Sequence, residues 1–158
     1  MKKIKIYFWV SVFVLSVPVV SSFAMDHDKM AMGMSNVAHE EVVEGVKASF
    51  KVMSMKERMK EMDMEMPKGM KETHHIMVEF KDAKTGKPLT EGEVKIKIQG
   101  PDKAEQVKNL MAMGGMAGMG AGFGADFDLS KKGKYGVMAK FKLKDGKTRS
   151  AKFWYLVK

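Results

Sequence analysis

Apolar and polar residues alternate along most of the chain from residue 41 to the C-terminus. The alternation has a period of two, which is typical of strands that bury one face. The clearest runs lie at residues 46–52, 76–80, 94–98, 135–143 and 153–157. One face of each run holds mainly Val, Ile, Phe and Tyr, which favour strands. The pattern therefore predicts an all-β domain.

Turn-forming residues separate these runs. Glu44-Gly45 and Asp145-Gly146 predict tight hairpins. A weaker apolar run at residues 107–111 predicts a short edge strand. Seven or eight short antiparallel strands with frequent turns are typical of an immunoglobulin-like β-sandwich, which is the fold we expect.

Two segments interrupt the alternation. Methionines recur at helical spacing before Pro67, which predicts a short, methionine-rich amphipathic helical insertion. These methionines are Met55, Met59, Met62 and Met66. Residues 114–124 are rich in glycine, and we predict that they form a flexible loop rather than a strand.

The N-terminal segment has the order of a secretory signal. Lys2, Lys3 and Lys5 precede an apolar run at residues 6–20, and small residues follow at Ser22 and Ala24. An uncleaved membrane anchor is the alternative, but the run is shorter than the ~20 residues that usually span a bilayer. We therefore expect cleavage after residue 24 and an exported, periplasmic protein. The absence of cysteine excludes disulfides, thiolate metal sites and a lipid-anchored lipoprotein.

The expected organisation is a signal peptide at residues 1–24, a flexible Met- and His-rich tail at 25–40, and one domain at 41–158. The formal net charge of the whole chain is +9. Residues 131–158 hold much of it, and such a basic end could attract anionic lipid or nucleic acid. The lysines there alternate with apolar residues, as on a solvated strand face. We therefore expect no nucleic-acid partner and no stable membrane insertion after signal cleavage.

Methionine is the unusual feature of the composition, with 18 in the chain. Its thioether is uncharged and has no proton to lose, so it favours soft Cu(I) over hard cations. The methionines lie mostly in the tail, the helical insertion and the glycine-rich loop, often two or three residues apart. The candidate ligands are Met30, Met32 and Met34 in the tail, Met62, Met64, Met66 and Met70 in the insertion, Met77 in a strand, and Met111, Met113, Met116 and Met119 near the glycines.

Histidine supplies the other candidate ligands. His74 and His75 begin a strand between Met70 and Met77, and adjacent strand residues point to opposite faces. Both can bind one ion only if the strand twists there or a second ion bridges them. His27 would be third in the chain after cleavage at residue 24. A free amine, two amides and an imidazole then form a square-planar site suited to Cu(II).

No arrangement of residues predicts an enzyme. The chain shows no nucleophile with a nearby base motif, and its carboxylates are dispersed among lysines. The glycines at 118–124 lack the strand–turn–helix context of a dinucleotide-binding loop.

Several runs resemble the YtkA-like family of small exported domains. They are VKASFKVMSM at 46–55, THHIMVEFKDAKTGKP at 73–88, ADFDL at 125–129 and GKY at 133–135. The resemblance covers roughly residues 40–158 and implies an immunoglobulin-like fold, related in style to copper-resistance domains of the CopC type. The last two runs also look like a tyrosine corner, in which Tyr135 ties a loop back to the sandwich. The chain lacks the histidine in first place that CopC-type Cu(II) sites have.

Two functions remain open from the sequence. The first is a periplasmic copper-binding protein, acting as a chaperone, buffer or tolerance factor for Cu(I), with a copper exporter or another periplasmic metal protein as its partner. The second is a protein-interaction module without metal, accessory to an efflux or membrane complex, whose methionines form an adaptable apolar surface. Metal titration distinguishes them.

Overall fold

The computed structural model describes residues 37–114 and 120–158. Within these ranges the chain forms eight strands and one short helix. The strands are β1 Val37–Val43, β2 Val46–Ser54, β3 His74–Asp82, β4 Gly92–Gln99, β5 Glu105–Met113, β6 Gly122–Phe127, β7 Gly133–Leu143 and β8 Thr148–Val157; the helix α1 is Met55–Glu61. The predicted all-β class and the methionine-rich helical insertion are confirmed.

All neighbouring strands are antiparallel, in the order β1-β2-β3-β6-β5-β4-β7-β8. The sheet curls so that its two end strands approach each other. The backbone N–H of Lys152 in β8 donates to Glu41 Oε1 of β1 at 3.1 Å. The His39 ring of β1 also stacks on Phe153 of β8, with ring centroids 5.0 Å apart. The sheet therefore encloses one core as a barrel-like sandwich.

Alternate residues of the strands point into this core. Phe80 and Phe141 meet there with ring centroids 4.4 Å apart, and Phe50 contacts Phe153 at 5.0 Å. Tyr135 is buried as well, and its Oη donates a hydrogen bond of 2.8 Å to the carbonyl of Lys131. That bond ties the β6–β7 connection to the sandwich, as the predicted tyrosine corner requires.

The β5 strand differs from its prediction. It runs from Glu105 to Met113 and pairs with β4 on one side and β6 on the other, so it is not an edge strand. Its sequence is misleading because Leu110 is its only fully buried side chain. Burial of side chains and pairing of the backbone are independent properties of a strand. The backbone of β5 joins the two halves of the sheet.

The helix is shorter than the methionine spacing predicts. Ser54 caps its N-terminus in a capping box with Glu57. At the other end the N–H of Asp63 bonds to the Lys60 carbonyl, and the N–H of Met64 to the Met59 carbonyl. These are the two bonds of a Schellman cap, with Asp63 in the left-handed region at φ 51°. Met62 and Met66 therefore lie outside the helix.

The glycine-rich segment also differs from its prediction. Gly122 and Gly124 belong to β6, although we expected a loop through residue 124. A Cβ at Gly122 would lie 2.6 Å from the Val78 carbonyl oxygen and 3.2 Å from Met77 Cε. Glycine is therefore the residue that allows β6 to pack closely against β3 here.

The predicted tail and signal peptide lie almost wholly outside the described residues. Strand β1 begins at Val37, within the range that we assigned to the tail. In the described part of the chain, no helix has the length and apolar character needed to cross a bilayer.

Phe141 provides a test of this core. Its replacement by alanine removes a fully buried ring, so we expect the free energy of unfolding to fall by ~3–5 kcal/mol. Leu156→Ala in β8 is the control, because that side chain is exposed and its loss should change the free energy by less than ~0.5 kcal/mol. Urea denaturation measures both; equal losses would contradict the assignment of Phe141 to the core.

Candidate metal centre

Four methionines form a buried layer outside the main core. Met53 of β2 and Met77 of β3 project from the outer face of the sheet, and Met55 and Met59 belong to α1. The helix contacts β2 and β3 and covers this part of the sheet. We name these four residues the methionine layer. These four buried methionines are not part of the main core cluster.

His75 lies at the edge of the methionine layer. It pairs across the sheet with Met53 of β2 and with Asp126 of β6, so their side chains share the outer face. His75 Nδ1 is 2.6 Å from Asp126 Oδ1. The same carboxylate oxygen accepts from Arg58 Nη1 of α1 at 2.7 Å. Helix α1 therefore helps to fix the carboxylate that orients the histidine.

This arrangement determines which ring nitrogen of His75 is free. An ionised carboxylate only accepts hydrogen bonds, so Nδ1 must carry the proton that it shares with Asp126. In the neutral ring, Nε2 then presents its lone pair. Nε2 is fully buried and has no hydrogen-bond partner among the described residues. An unsatisfied buried acceptor is costly, ~1–3 kcal/mol, and a metal ion would satisfy it.

A thioether faces the same space. A Cβ on Gly124 would lie 2.7 Å from His75 Nε2 and 2.6 Å from Met113 Sδ. The nitrogen and the sulfur are therefore no farther apart than the sum of these two distances. Met77 is the cross-strand partner of Gly124 and is buried beside it. The missing side chain of Gly124 leaves a place where one imidazole and one or two thioethers can meet a single soft ion.

Met111 marks the outer boundary of this place. It pairs with Gly124 on the β5 side, shares the face of Met113, and is 77% exposed. The two methionines therefore lie at increasing depth. Met111 is in solvent, and Met113 is partly buried beside the buried Nε2 of His75.

Burial lowers the pKa of His75, and the Arg58 guanidinium lowers it further, although the hydrogen bond to Asp126 opposes both. The ring is therefore neutral at pH 7 and able to act as a ligand. Nearby, Glu79 is held by Lys51, with 2.6 Å between Nζ and Oε1. Asp126 and Glu79 are thus each bound by a cationic side chain.

His74 lies on the opposite face of β3, as expected for a neighbouring strand residue. Its Nδ1 is 2.9 Å from Thr73 Oγ1, and its ring meets Tyr155 edge-on at 6.2 Å. The structure does not place His74 with His75 at one centre. The assignment of His74 as a metal ligand remains a prediction.

The other candidate ligands lie on the connection between α1 and β3 or outside the described residues. Four methionines lie between α1 and β3, with two of them exposed and two partly buried: Met64 and Met66, then Met62 and Met70. Six candidates fall outside the described ranges: His27, Met30, Met32, Met34, Met116 and Met119. The roles of all ten remain predictions.

Sequence reasoning missed three residues of the centre: Asp126, Arg58 and Gly124. Asp126 and Arg58 are 68 positions apart, and nothing local to either residue indicates the contact. Gly124 was assigned to a loop. The chemistry of Met113, Met77 and His75 was visible in the sequence, but the supporting residues depend on strand register.

In residues 37–114 and 120–158, no three His, Asp or Glu side chains are grouped as a metal site of those ligands would require. The candidate centre instead combines a single imidazole with sulfur.

Comparison with known proteins shows the fold. No family model matches the chain, so the YtkA-like assignment remains a prediction, and no curated protein matches it significantly. Solved structures do match. A copper-bound variant of FetP from uropathogenic Escherichia coli has a TM-score of 0.60 at 11% identity, covering 78% of this chain and 91% of that one.

Two further structures agree. A copper-bound variant of Campylobacter jejuni P19 has a TM-score of 0.59 at 12% identity, covering 77% of this chain and 96% of that one. A DUF4426 family protein from Pseudomonas aeruginosa has a TM-score of 0.60 at 13% identity, covering 75% and 96%.

Gly124→Ala tests the centre directly. Its methyl group would occupy the space between His75 Nε2 and Met113 Sδ, so we expect Ag(I) affinity to fall at least about tenfold. Gly114→Ala is the matched control, because a Cβ there has no atom within 4 Å. Chelator competition on variants with a native circular dichroism spectrum gives the affinities. Unchanged Ag(I) binding by Gly124→Ala would show that the ion does not bind between His75 and Met113.

Metal-free protein should lose stability as the pH falls below the ordinary histidine pKa of ~6.5. Burial lowers the pKa of His74 and His75 in the folded protein. In the unfolded chain both rings take up protons near pH ~6.5, whereas in the folded protein they are still neutral at that pH. The stabilisation is complete above the unfolded pKa and declines below it. In His75→Asn the urea midpoint should depend less steeply on pH, because the amide does not titrate. An equally steep dependence in the variant would show that His75 does not contribute.

Proposed function

We propose that this protein is an exported copper-binding protein that holds Cu(I) at His75 and Met113. The observation that carries the proposal is the buried Nε2 of His75, which has no hydrogen-bond partner in residues 37–114 and 120–158 and faces Met113 Sδ over Gly124. A buried acceptor with no protein partner is rare in native structures. Its position beside a thioether favours a soft cation as the missing partner.

The surroundings of the pair support a soft-metal site. The Asp126 carboxylate accepts from His75 Nδ1, which is the usual support for a metal-binding imidazole. Met77 is the residue best placed to add a second thioether, because it lies on the same face beside Gly124. Thioether sulfur suits soft Cu(I) better than carboxylate oxygen would. Copper in this role is cargo, bound and released, rather than a catalytic cofactor.

The structural neighbours give independent support. FetP and P19 variants of similar fold have been solved with copper bound. FetP was also produced in the periplasm, in agreement with the export that the N-terminal sequence of this chain predicts. Their low identity means that the ligand set proposed for this protein rests on the geometry of this chain alone.

Binding and transfer are the proposed role, as a chaperone, buffer or tolerance factor. Exposed Met111 next to Met113 supports transfer, because a thioether at the surface can receive an ion from a partner and pass it inward. A copper exporter or another exported metal protein is the corresponding partner. The N-terminal Met25-Asp26-His27 sequence would add a separate Cu(II) site if cleavage frees the amine of Met25.

Competition with a Cu(I) chelator under anaerobic conditions tests the proposal. We expect His75→Asn and Met113→Leu each to weaken the tightest site by at least about tenfold. Asparagine can still donate to Asp126 but lacks the Nε2 ligand, and leucine keeps apolar bulk without sulfur. Asp126→Asn should weaken it by ~10–100-fold, because it loosens the support of the imidazole.

His74→Asn and Met64→Leu are the controls, since neither residue lies at the centre. Cu(I) affinities that are equal in all variants, together with a loss of stability in Met113→Leu, would favour the alternative function. In that case the methionines would be packing residues of an interaction module.

A further inference from the structure

The outer face of β4, β7 and β8 carries a second surface that metal binding does not explain. Cross-strand pairing brings six lysines to one side of these strands, around three exposed apolar side chains. The lysines are Lys95, Lys97, Lys134, Lys140, Lys142 and Lys152; the apolar residues are Met138, Trp154 and Leu156. We name this surface the basic face.

Trp154 is the most unusual residue of the basic face, because 64% of this large side chain is exposed. Its cross-strand partner is Gly136, and a Cβ there would lie 3.0 Å from Trp154 Cζ3. The indole therefore lies close against the β7 backbone. Lys134 Nζ lies 4.6 Å from the ring centroid, in cation–π contact. Leu156, also 58% exposed, extends the apolar surface along β8.

A shallow groove of about 330 Å³ runs beside the indole. Met138 and Trp154 supply apolar walls, while Lys97 and Lys152 lie in register on either side of Met138. Glu105 also lines the groove, and its carboxylate is bound to Lys97. The groove thus combines apolar walls with ammonium groups at the same level of the sheet, an arrangement that suits a group with an anionic head and an apolar body.

The positive charge of this face is largely uncompensated. Lys97 is paired with Glu105 at 2.7 Å, and Glu93 is the other acidic residue of the face. Among the described residues, no carboxylate lies within 4.0 Å of the ammonium groups of the other five lysines of the face. These are Lys95, Lys134, Lys140, Lys142 and Lys152.

We propose that the basic face binds the surface of a membrane that contains anionic lipid. Its lysines would approach the headgroup phosphates, and Trp154 and Leu156 would enter the interface. Tryptophan is enriched at that depth, and each basic residue near an anionic membrane contributes ~1 kcal/mol, about fivefold in affinity. The proposed binding is peripheral.

The composition of the face favours lipid over an acidic protein. Protein interfaces are enriched in arginine and depleted in lysine. Every basic residue of the basic face is a lysine. The nearest arginine, Arg149, is buried, and its Nη2 donates to Asp145 Oδ2 at 2.5 Å. An anionic membrane surface attracts lysine and arginine alike, and it does not need the bidentate geometry of arginine.

The basic face and the metal centre belong to different halves of the sheet. His75 and Gly124 lie on β3 and β6, whereas the basic face is built from β4, β7 and β8, with the core between their inner surfaces. Membrane binding through the basic face would leave the centre at His75 accessible. The proposal does not depend on copper binding, and the two can fail separately.

Vesicle sedimentation tests the proposal on the protein as the cell processes it, with its N-terminus identified by mass spectrometry. If Trp9 is retained, phenylalanine replaces it in every sample, so that fluorescence reports Trp154 alone. Vesicles of phosphatidylcholine with about one third phosphatidylglycerol should bind the protein at low salt and shift Trp154 emission to shorter wavelength. Vesicles of phosphatidylcholine alone should bind at least about tenfold less, and 0.5 M salt should release the protein.

The double variant Lys95→Glu/Lys140→Glu should weaken vesicle binding at least about tenfold. Lys68→Glu/Lys71→Glu is the matched control, with the same change of charge at two exposed residues of the connection between α1 and β3, outside the basic face, and should weaken it much less. Trp154→Ala should reduce vesicle binding but leave binding to soluble polyaspartate unchanged. The proposal is overturned if the two charge variants lose binding equally. It is also overturned if polyaspartate competes fully while Trp154→Ala binds vesicles normally, which would indicate an acidic protein partner.

Discussion

In β3, side chains on both faces are buried, and this double burial is the constraint on which the core and the metal centre both depend. Ile76 and Val78 face the main core, whereas His75 and Met77 face outward. Helix α1 contacts β2 and β3 and brings Arg58 to the Asp126 carboxylate beside His75, and Met77 lies against Gly122 of β6. A strand with one solvated face would leave the imidazole in water, where Nε2 would already be hydrogen-bonded. Covering the second face therefore creates an unsatisfied ligand.

Glycine in β6 completes this arrangement. A strand interior normally disfavours glycine, since it loses more backbone entropy than other residues and has no side chain to pack. Gly122 and Gly124 instead leave space into which Met77, Met113 and His75 extend. This local cost in strand propensity allows an imidazole and thioethers to come together on the outer face of the sheet. Asp126, two positions along β6, then orients the ring, so one short strand supplies both the space and the support.

The two halves of the sheet have different surface chemistry. Around His75 the charged groups are paired with one another, as Arg58 with Asp126 and Lys51 with Glu79, which leaves soft sulfur as the available ligand. On the basic face, most lysines have no carboxylate partner among the described residues, and they surround an exposed indole. The backbone of β5 pairs with strands of both halves, and each outer face carries its own chemistry while both halves share one core.

The sequence by itself determined the strand class, the two hairpin turns and the tyrosine corner, because alternation and turn residues act over a few neighbouring positions. It also indicated soft-metal chemistry, because a thioether has the same preference wherever it lies. Tertiary structure decided which methionines are buried, that β5 is an interior strand, and that Gly124 belongs to β6. It alone brought Arg58 and Asp126 to His75. The physical reason is register: which residues face each other across a sheet depends on hydrogen bonds between distant segments, and a shift of one position reverses every side chain.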